Sequence, residues 1–187
     1  MQRAYKFLWY GMRDRTMPQV DNIASDAWSL ELTISGLEGT DRIAEVVARH
    51  VLPGAIVLLD GDLAAGKTHF VKGLVRALGS TEMVTSPTYA LVHLYDRGTL
   101  KVVHADAYRL SSLAEFDDLG LDEYRDDTLT FIEWGKLVED RFPERLTLEF
   151  AFVQDDPESR RVVLRGRGRV WRALHSALLR TPGGSRS

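Results

Sequence analysis

The sequence contains no cysteine. Disulfides, zinc thiolates and a cysteine nucleophile are therefore excluded, and a reducing, cytoplasmic setting fits. No stretch approaches the roughly 20 consecutive apolar residues of a membrane-spanning helix, so no membrane partner is expected. Near the start, Lys6 and Arg13 bracket only residues 7–12, which is short of the about 7–15 apolar residues of a secretory signal. Internal repeats and low-complexity linkers are also missing. Acidic residues are absent from one region: none follows Glu158, whereas eight arginines do.

The 187 residues, 44% hydrophobic and 27% charged, suit a single soluble domain. The net charge of −3 hides an asymmetry: residues 1–158 hold 16 basic and 27 acidic side chains, net −11. We expect a flexible extension over 1–27, a folded domain over 28–180 and a disordered tail over 181–187. The extension is basic and aromatic, and its Phe7, Trp9 and Tyr10 offer a second reading as a membrane or partner contact.

Residues 28–34 alternate as a strand. Residues 35–39 break it, and Thr40 is placed to cap a helix carrying Ile43, Val46 and Val47 at helical spacing. The continuous apolar run 55–59 reads as a strand buried on both faces. A helix follows the next loop, with Phe70, Val71, Leu74 and Val75 on its apolar side and Gly79 as its stop. Residues 89–95 and 100–105 read as a hairpin turning at 96–99, Ser112 opens a short acidic helix, and 128–132 is a further strand. A last strand pair, 146–153 and 161–164, spans a loop at 154–159, and 170–179 reads as a helix. Strands and helices alternate early and hairpins come late. This predicts one α/β domain with a mixed, partly antiparallel sheet flanked by helices.

The most specific signal is Gly61-Asp62-Leu63-Ala64-Ala65-Gly66-Lys67-Thr68. It matches G-x-x-x-x-G-K-[ST] between a predicted buried strand and a helix, the context that such a motif needs. Backbone N–H groups of Ala64, Ala65 and Gly66 can wrap a phosphate, aided by the positive end of the helix. Lys67 can reach β- and γ-phosphates, and the Thr68 hydroxyl can ligate Mg²⁺. Ala64 stands where glycine is common, so a positive φ there would strain the loop by about 1 kcal/mol or more.

A magnesium-bound nucleotide also needs an acid at the tip of a neighbouring strand. Glu133 directly follows 128–132 and meets that requirement. Asp60 and Asp62 are read as turn residues. Asp106 ends the strand 100–105 and can orient an attacking water, or cap the segment that follows. His104 is a candidate support for these carboxylates, while His93 reads as structural and His50 as a helix-end contact. His69 lies within reach of an α-phosphate. Trp134 can stack on a base or belong to the core.

Four segments occur together in the order and spacing of one family. They are the loop just given, Ser86-Pro87-Thr88-Tyr89, His104-Ala105-Asp106-Ala107-Tyr108-Arg109-Leu110 and Ile132-Glu133-Trp134. Over about residues 29–166 the chain resembles the TsaE (YjeE) family, the P-loop ATPases of bacterial tRNA threonylcarbamoyladenosine biosynthesis. The resemblance implies ATP or ADP as ligand and Mg²⁺ held by Thr68 and Glu133. It implies Lys67 on the phosphates, Asp106 as the catalytic carboxylate and loop 86–88, with Thr88, as a switch over the γ-phosphate. It places Trp134 near the base, Thr40 against the nucleotide, and Arg160 or Arg161 beside it. Ala64 and His69 depart from the family pattern. The implied function is ATP hydrolysis required for modifying adenosine 37 in tRNAs that read ANN codons. The chain would act on the TsaB–TsaD complex, meeting tRNA through that complex.

Two other readings compete: a P-loop small-molecule kinase and a non-catalytic nucleotide-binding module. The first lacks the long arginine-rich lid such enzymes close over phosphates. An RNA-binding protein driven by the tail arginines lacks interleaved exposed aromatics. Arg167, Arg169 and Arg172 still offer either a docking face for RNA phosphates or an acidic partner, or a solvated helix face.

Overall fold

The computed structural model describes residues 26–96, 101–124 and 127–180. Residues 1–25 of the expected extension over 1–27, residues 97–99 of the expected turn at 96–99 and the tail over 181–187 lie outside the described residues.

A seven-stranded mixed sheet forms the middle of the domain. Its strands are β1 (Trp28–Ser35), β2 (Ile56–Gly61), β3 (Val92–Asp96), β4 (Lys101–Asp106), β5 (Thr128–Glu133), β6 (Arg145–Val153) and β7 (Asp156–Arg167). They lie in the order β1-β7-β6-β2-β5-β4-β3. The central strand β2 runs parallel to β5 and β6, and β5 runs parallel to β4. Strand β7 is antiparallel to both β1 and β6, and β3 is antiparallel to β4. The helices are α1 (Gly36–Ala48), α2 (Lys67–Ala77), α3 (Leu113–Asp117) and α4 (Arg172–Leu178).

Leu58 and Leu59 of β2 point to opposite faces and are both fully buried, as the unbroken apolar run requires. Leu59 joins Ile43 and Val47 of α1 and Phe70, Val71 and Leu74 of α2 in the larger core cluster. On the other face Leu58 packs with Ile132, Phe116 and Phe142 under α3 and the turn that follows β5. Removing a side chain such as Phe70, which is fully buried, costs about 3–5 kcal/mol.

Three expected boundaries shift. Helix α1 starts at Gly36 with Ser35 at its N-cap, so Thr40 lies in the second turn and caps nothing. Gly39 makes this early start possible: a Cβ there would lie 2.9 Å from the Ile34 Cβ. Strand β3 begins at Val92 and not at residue 89, because Leu91 takes a φ of 66° and its N–H bonds back to the Pro87 carbonyl at 2.7 Å. The expected loop 154–159 is a tight turn through Asp155, at φ 61°, and β7 already starts at Asp156.

Two arginines of the basic end share one buried acid. The side chain of Asp26, 2% exposed, binds Arg172 and stands 3.5 Å from the Arg169 Nε. The Trp28 indole N–H donates to the Trp171 carbonyl at 3.1 Å, and its ring stacks on His175 at 4.7 Å. These contacts tie α4 to the start of β1.

Candidate nucleotide site

The parallel strands bring the chemistry together at their C-terminal ends, where α/β sheets place ligands. Glu133 pairs in register with Leu59 on one side and with Asp106 on the other. The loop after β2 and both carboxylates therefore share one sheet edge. They surround a cavity of about 380 Å³.

The loop leaves β2 through Gly61 at φ 127°, where a Cβ would lie 2.1 Å from the Phe150 carbonyl oxygen, so only glycine fits. Ala64 takes a φ of 62°, the left-handed conformation that makes alanine a costly choice. Gly66, at φ 122°, opens α2. Ala64, Gly66, Lys67, Thr68 and His69 line the cavity, whereas Ala65 is buried beneath it.

The Lys67 ammonium donates to the carbonyls of Gly61 (2.6 Å) and Asp62 (2.9 Å) and lies 4.1 Å from the centre of the Trp134 ring. Burial pulls its pKa below the usual lysine value, against the opposing pull of Glu133, Asp106, Asp60 and Asp62. The Thr68 hydroxyl donates to the Glu133 Oε1 at 2.6 Å, and the ring of His104 reaches the same oxygen at 3.0 Å. Burial pushes the Glu133 pKa up, but the bonds from His104 and Thr68, with the charge of Lys67, more than offset it. Its carboxyl is held below the usual glutamate range.

Asp106 is 2% exposed, and each of its oxygens accepts one hydrogen bond. Its Oδ2 accepts from the Thr88 hydroxyl at 3.0 Å and its Oδ1 from the Tyr108 N–H at 2.8 Å. Ser86 lies 2.7 Å from the Thr88 oxygen, and Arg109 donates to the Tyr89 carbonyl at 2.8 Å. Loop 86–89 is thus anchored to the end of β4 at two points.

The remaining expected residues fall into two groups. His69 lines the cavity, with its Nε2 3.1 Å from Asp41 of α1, and Asp41 accepts from Arg76 at 2.7 Å. Trp134, at φ 59°, packs its ring on Lys67 and on Tyr108, 4.9 Å away. Thr40 is buried in α1 and does not line the cavity. Neither do Arg160 and Arg161. Arg160 donates to the Pro157 and Ser159 carbonyls and covers the Phe152 ring, and Arg161 pairs with Glu31. Sequence reasoning missed Leu37 and Leu63, which line the cavity although 66% and 83% exposed. It also missed Asp41, because a contact between two helices leaves no mark in local spacing.

The donors present suit a small hard cation. Thr68 and Glu133 offer a hydroxyl and a carboxylate, the sparse protein share of a Mg²⁺ site that phosphates and water complete. Among the described residues no group of three or more His, Cys, Asp or Glu side chains is placed to hold a metal ion.

The family model described as "Threonylcarbamoyl adenosine biosynthesis protein TsaE" matches residues 34–162. The chain belongs to the TsaE family. It is 41% identical over 121 residues to the tRNA threonylcarbamoyladenosine biosynthesis protein TsaE of Bacillus subtilis, covering 64% of this chain and 75% of that one. To the Treponema pallidum TsaE it is 46% identical over 108 residues, 57% of this chain and 79% of the other. The Streptomyces coelicolor TsaE is 36% identical over 141 residues, 71% and 94% of the two chains. The crystal structure of Bacillus subtilis YdiB superposes with a TM-score of 0.68 at 31% identity, over 82% of this chain and 96% of that one. As a TsaE protein the chain is a P-loop type, nucleotide-binding member of a tRNA modification family. No helix among the described residues is long and apolar enough to cross a membrane.

Proposed function

We propose that this TsaE protein binds and hydrolyses ATP with Mg²⁺, and that its ATP cycle drives turnover of the TsaB–TsaD complex in the cytoplasm. That complex would transfer the threonylcarbamoyl group to adenosine 37 of tRNAs reading ANN codons. The observation that carries the reading is the meeting of Lys67, the Thr68–Glu133 pair and the Thr88–Asp106 pair in one cavity.

Nucleotide binding exchanges partners at Lys67. Its ammonium leaves the Gly61 and Asp62 carbonyls and bonds the β- and γ-phosphates, with loop N–H groups from Ala64 to Lys67 around the phosphate. Thr68 and Glu133 hold Mg²⁺, which when bound neutralises phosphate charge. Asp106 orients the attacking water, and its two internal bonds fix the carboxylate for that task. Thr88 stands between Asp106 and Ser86 and is the residue whose bonds change with the presence of a γ-phosphate. His69, braced by Asp41, faces the α-phosphate, and the Trp134 ring covers the nucleotide beside Lys67. Thr40 supports the site from within α1, and Arg160 and Arg161 reach a nucleotide only after giving up their present partners.

The test is reconstitution with TsaB, TsaD and the enzyme that supplies threonylcarbamoyl-adenylate, following tRNA modification over many turnovers. Modification should depend on this chain and stop with Lys67→Ala. Multiple turnovers without the chain would overturn the reading. Phosphate transfer to a small acceptor faster than hydrolysis would point to a kinase instead.

A further inference from the structure

His104 is fully buried in β4, a position where histidine needs a reason. It sits beside Phe131 of β5 and opposite His93 of β3. Its Nε2 lies 3.0 Å from the Glu133 Oε1, and no described residue bonds its buried Nδ1. A carboxylate oxygen only accepts, so the Nε2 carries the proton. The neutral tautomer then leaves just a lone pair at Nδ1, whereas an Nδ1–H would be a buried donor with no acceptor.

Both bonds at Glu133 fall on the same atom. Thr68 donates to Oε1 from the loop and His104 donates to it from the neighbouring strand, while no described residue bonds Oε2. A carboxylate held by one donor can still turn about its last torsion. Two donors from different elements stop that rotation and keep the free oxygen aimed in one direction. Thr68 is itself expected at the metal, so only His104 can restrain the carboxylate independently of the ion.

We propose that His104 is the positioning residue of the metal-binding carboxylate: through its Nε2–H it clamps Oε1 of Glu133 and leaves Oε2 to face the divalent cation carried by the nucleotide. The proposal rests on the assignment of Thr68 and Glu133 to that cation. Partners that orient metal ligands are commonly worth about 10–100-fold in metal affinity. The effect should fall on the cation and not on the nucleotide, because His104 does not line the cavity.

The experiment uses the full chain saturated with ADP and titrates Mn²⁺ by its free-ion paramagnetic resonance signal. ADP affinity is measured separately in EDTA by displacement of a fluorescent analogue. His104→Leu should weaken Mn²⁺ by about 10-fold or more and leave ADP affinity in EDTA within about 2-fold. His104→Gln, whose amide nitrogen can replace the Nε2–H, should recover most of the Mn²⁺ affinity. Wild-type Mn²⁺ affinity in His104→Leu overturns the proposal. So does equal loss of Mn²⁺ and ADP, or failure of Gln to rescue. Should the Leu variant not fold, the wild-type ¹⁵N-histidine spectrum decides. An Nε2–H tautomer whose signal shifts when Mg²⁺ joins ADP supports the clamp, and an Nδ1–H tautomer or an unmoved signal overturns it. Wild-type protein that holds no Mn²⁺ beyond that of free ADP removes the metal assignment itself, and the clamp with it. Normal wild-type binding with an inert His104 removes the clamp alone.

Discussion

Thr68 and Glu133 stand 65 residues apart in the chain, yet the threonine hydroxyl lies 2.6 Å from the glutamate Oε1. The parallel register of β2 and β5 produces this contact, since Leu59 and Glu133 occupy the same level of the sheet. Asp106 occupies that level on β4 and receives the Thr88 hydroxyl. One row of the sheet therefore sets the Thr68–Glu133 pair and the Thr88–Asp106 pair side by side.

The second pair should act on the rate and not on affinity. Asp106→Asn keeps an oxygen for the Tyr108 N–H but turns a donor toward Thr88. ATP turnover in the reconstituted system should fall roughly 100-fold or more, while the Kd for ADP stays within about 2-fold. Unchanged turnover, measured by phosphate release, would leave Asp106 a turn residue only.

Lys67 carries opposite consequences for binding and stability. Burial lowers its pKa, so below its folded pKa the protonated ammonium is held at a cost that is relieved only as pH rises toward 10.5. Lys67→Met removes that cost and also the phosphate contact. ADP binding should weaken roughly 10–100-fold, the worth of a charge-assisted bond. The melting temperature at pH 7 should not fall. A titration with fluorescent ADP and a thermal melt of the same sample check both halves.

Ala64 at φ 62° stores strain that glycine would release. Ala64→Gly should stabilise the folded state by about 1 kcal/mol, a rise of roughly 2–4 °C in Tm for a chain of this size. A lower melting temperature would show that the alanine methyl contributes packing that outweighs its backbone cost.

Asp60 gives a pH signature. Burial raises its pKa above 3.8, and the nearby Glu139 and Glu149 add to this against the Lys136 N–H bond and the Lys67 charge. An acid with a raised folded pKa costs stability once it ionises, and the cost disappears below 3.8, where it is protonated in both states. Asp60→Asn keeps the acceptor for the Lys136 N–H, now 3.1 Å from Oδ1. Its melting temperature should exceed that of the wild type at pH 7, and the gain should shrink as pH falls toward 4. Melts across that range test the sign.

Much of the site was legible because it is local. The residues from Gly61 to Thr68 carry their chemistry in eight consecutive positions, and the apolar run before them announces a buried strand. Glu133 and Asp106 could be placed because each ends a strand, and strand ends of a parallel sheet gather on one edge. Where local signals misled, packing was responsible, by groups near or far in the chain. Thr40 looks like a helix cap by composition, but the N-cap falls five residues earlier at Ser35, with Gly39 fitting against Ile34. Arg160 and Arg161 look free in the sequence, but antiparallel pairing of β7 brings Arg161 to Glu31, and Arg160 folds onto Phe152.

The sequence by itself determined the phosphate loop, the alternation of strands and helices, and which residue types were available to hold a charged ligand. Those properties depend on spacing within a few residues, so they survive in one dimension. Tertiary structure decided which groups meet: His104 with Glu133, His69 with Asp41, and the tail arginines Arg169 and Arg172 with Asp26. Those pairings depend on strand register and helix contact, which join residues tens to more than a hundred positions apart. The charge asymmetry is bridged in part the same way, because Arg169 and Arg172 near one end meet Asp26 near the other.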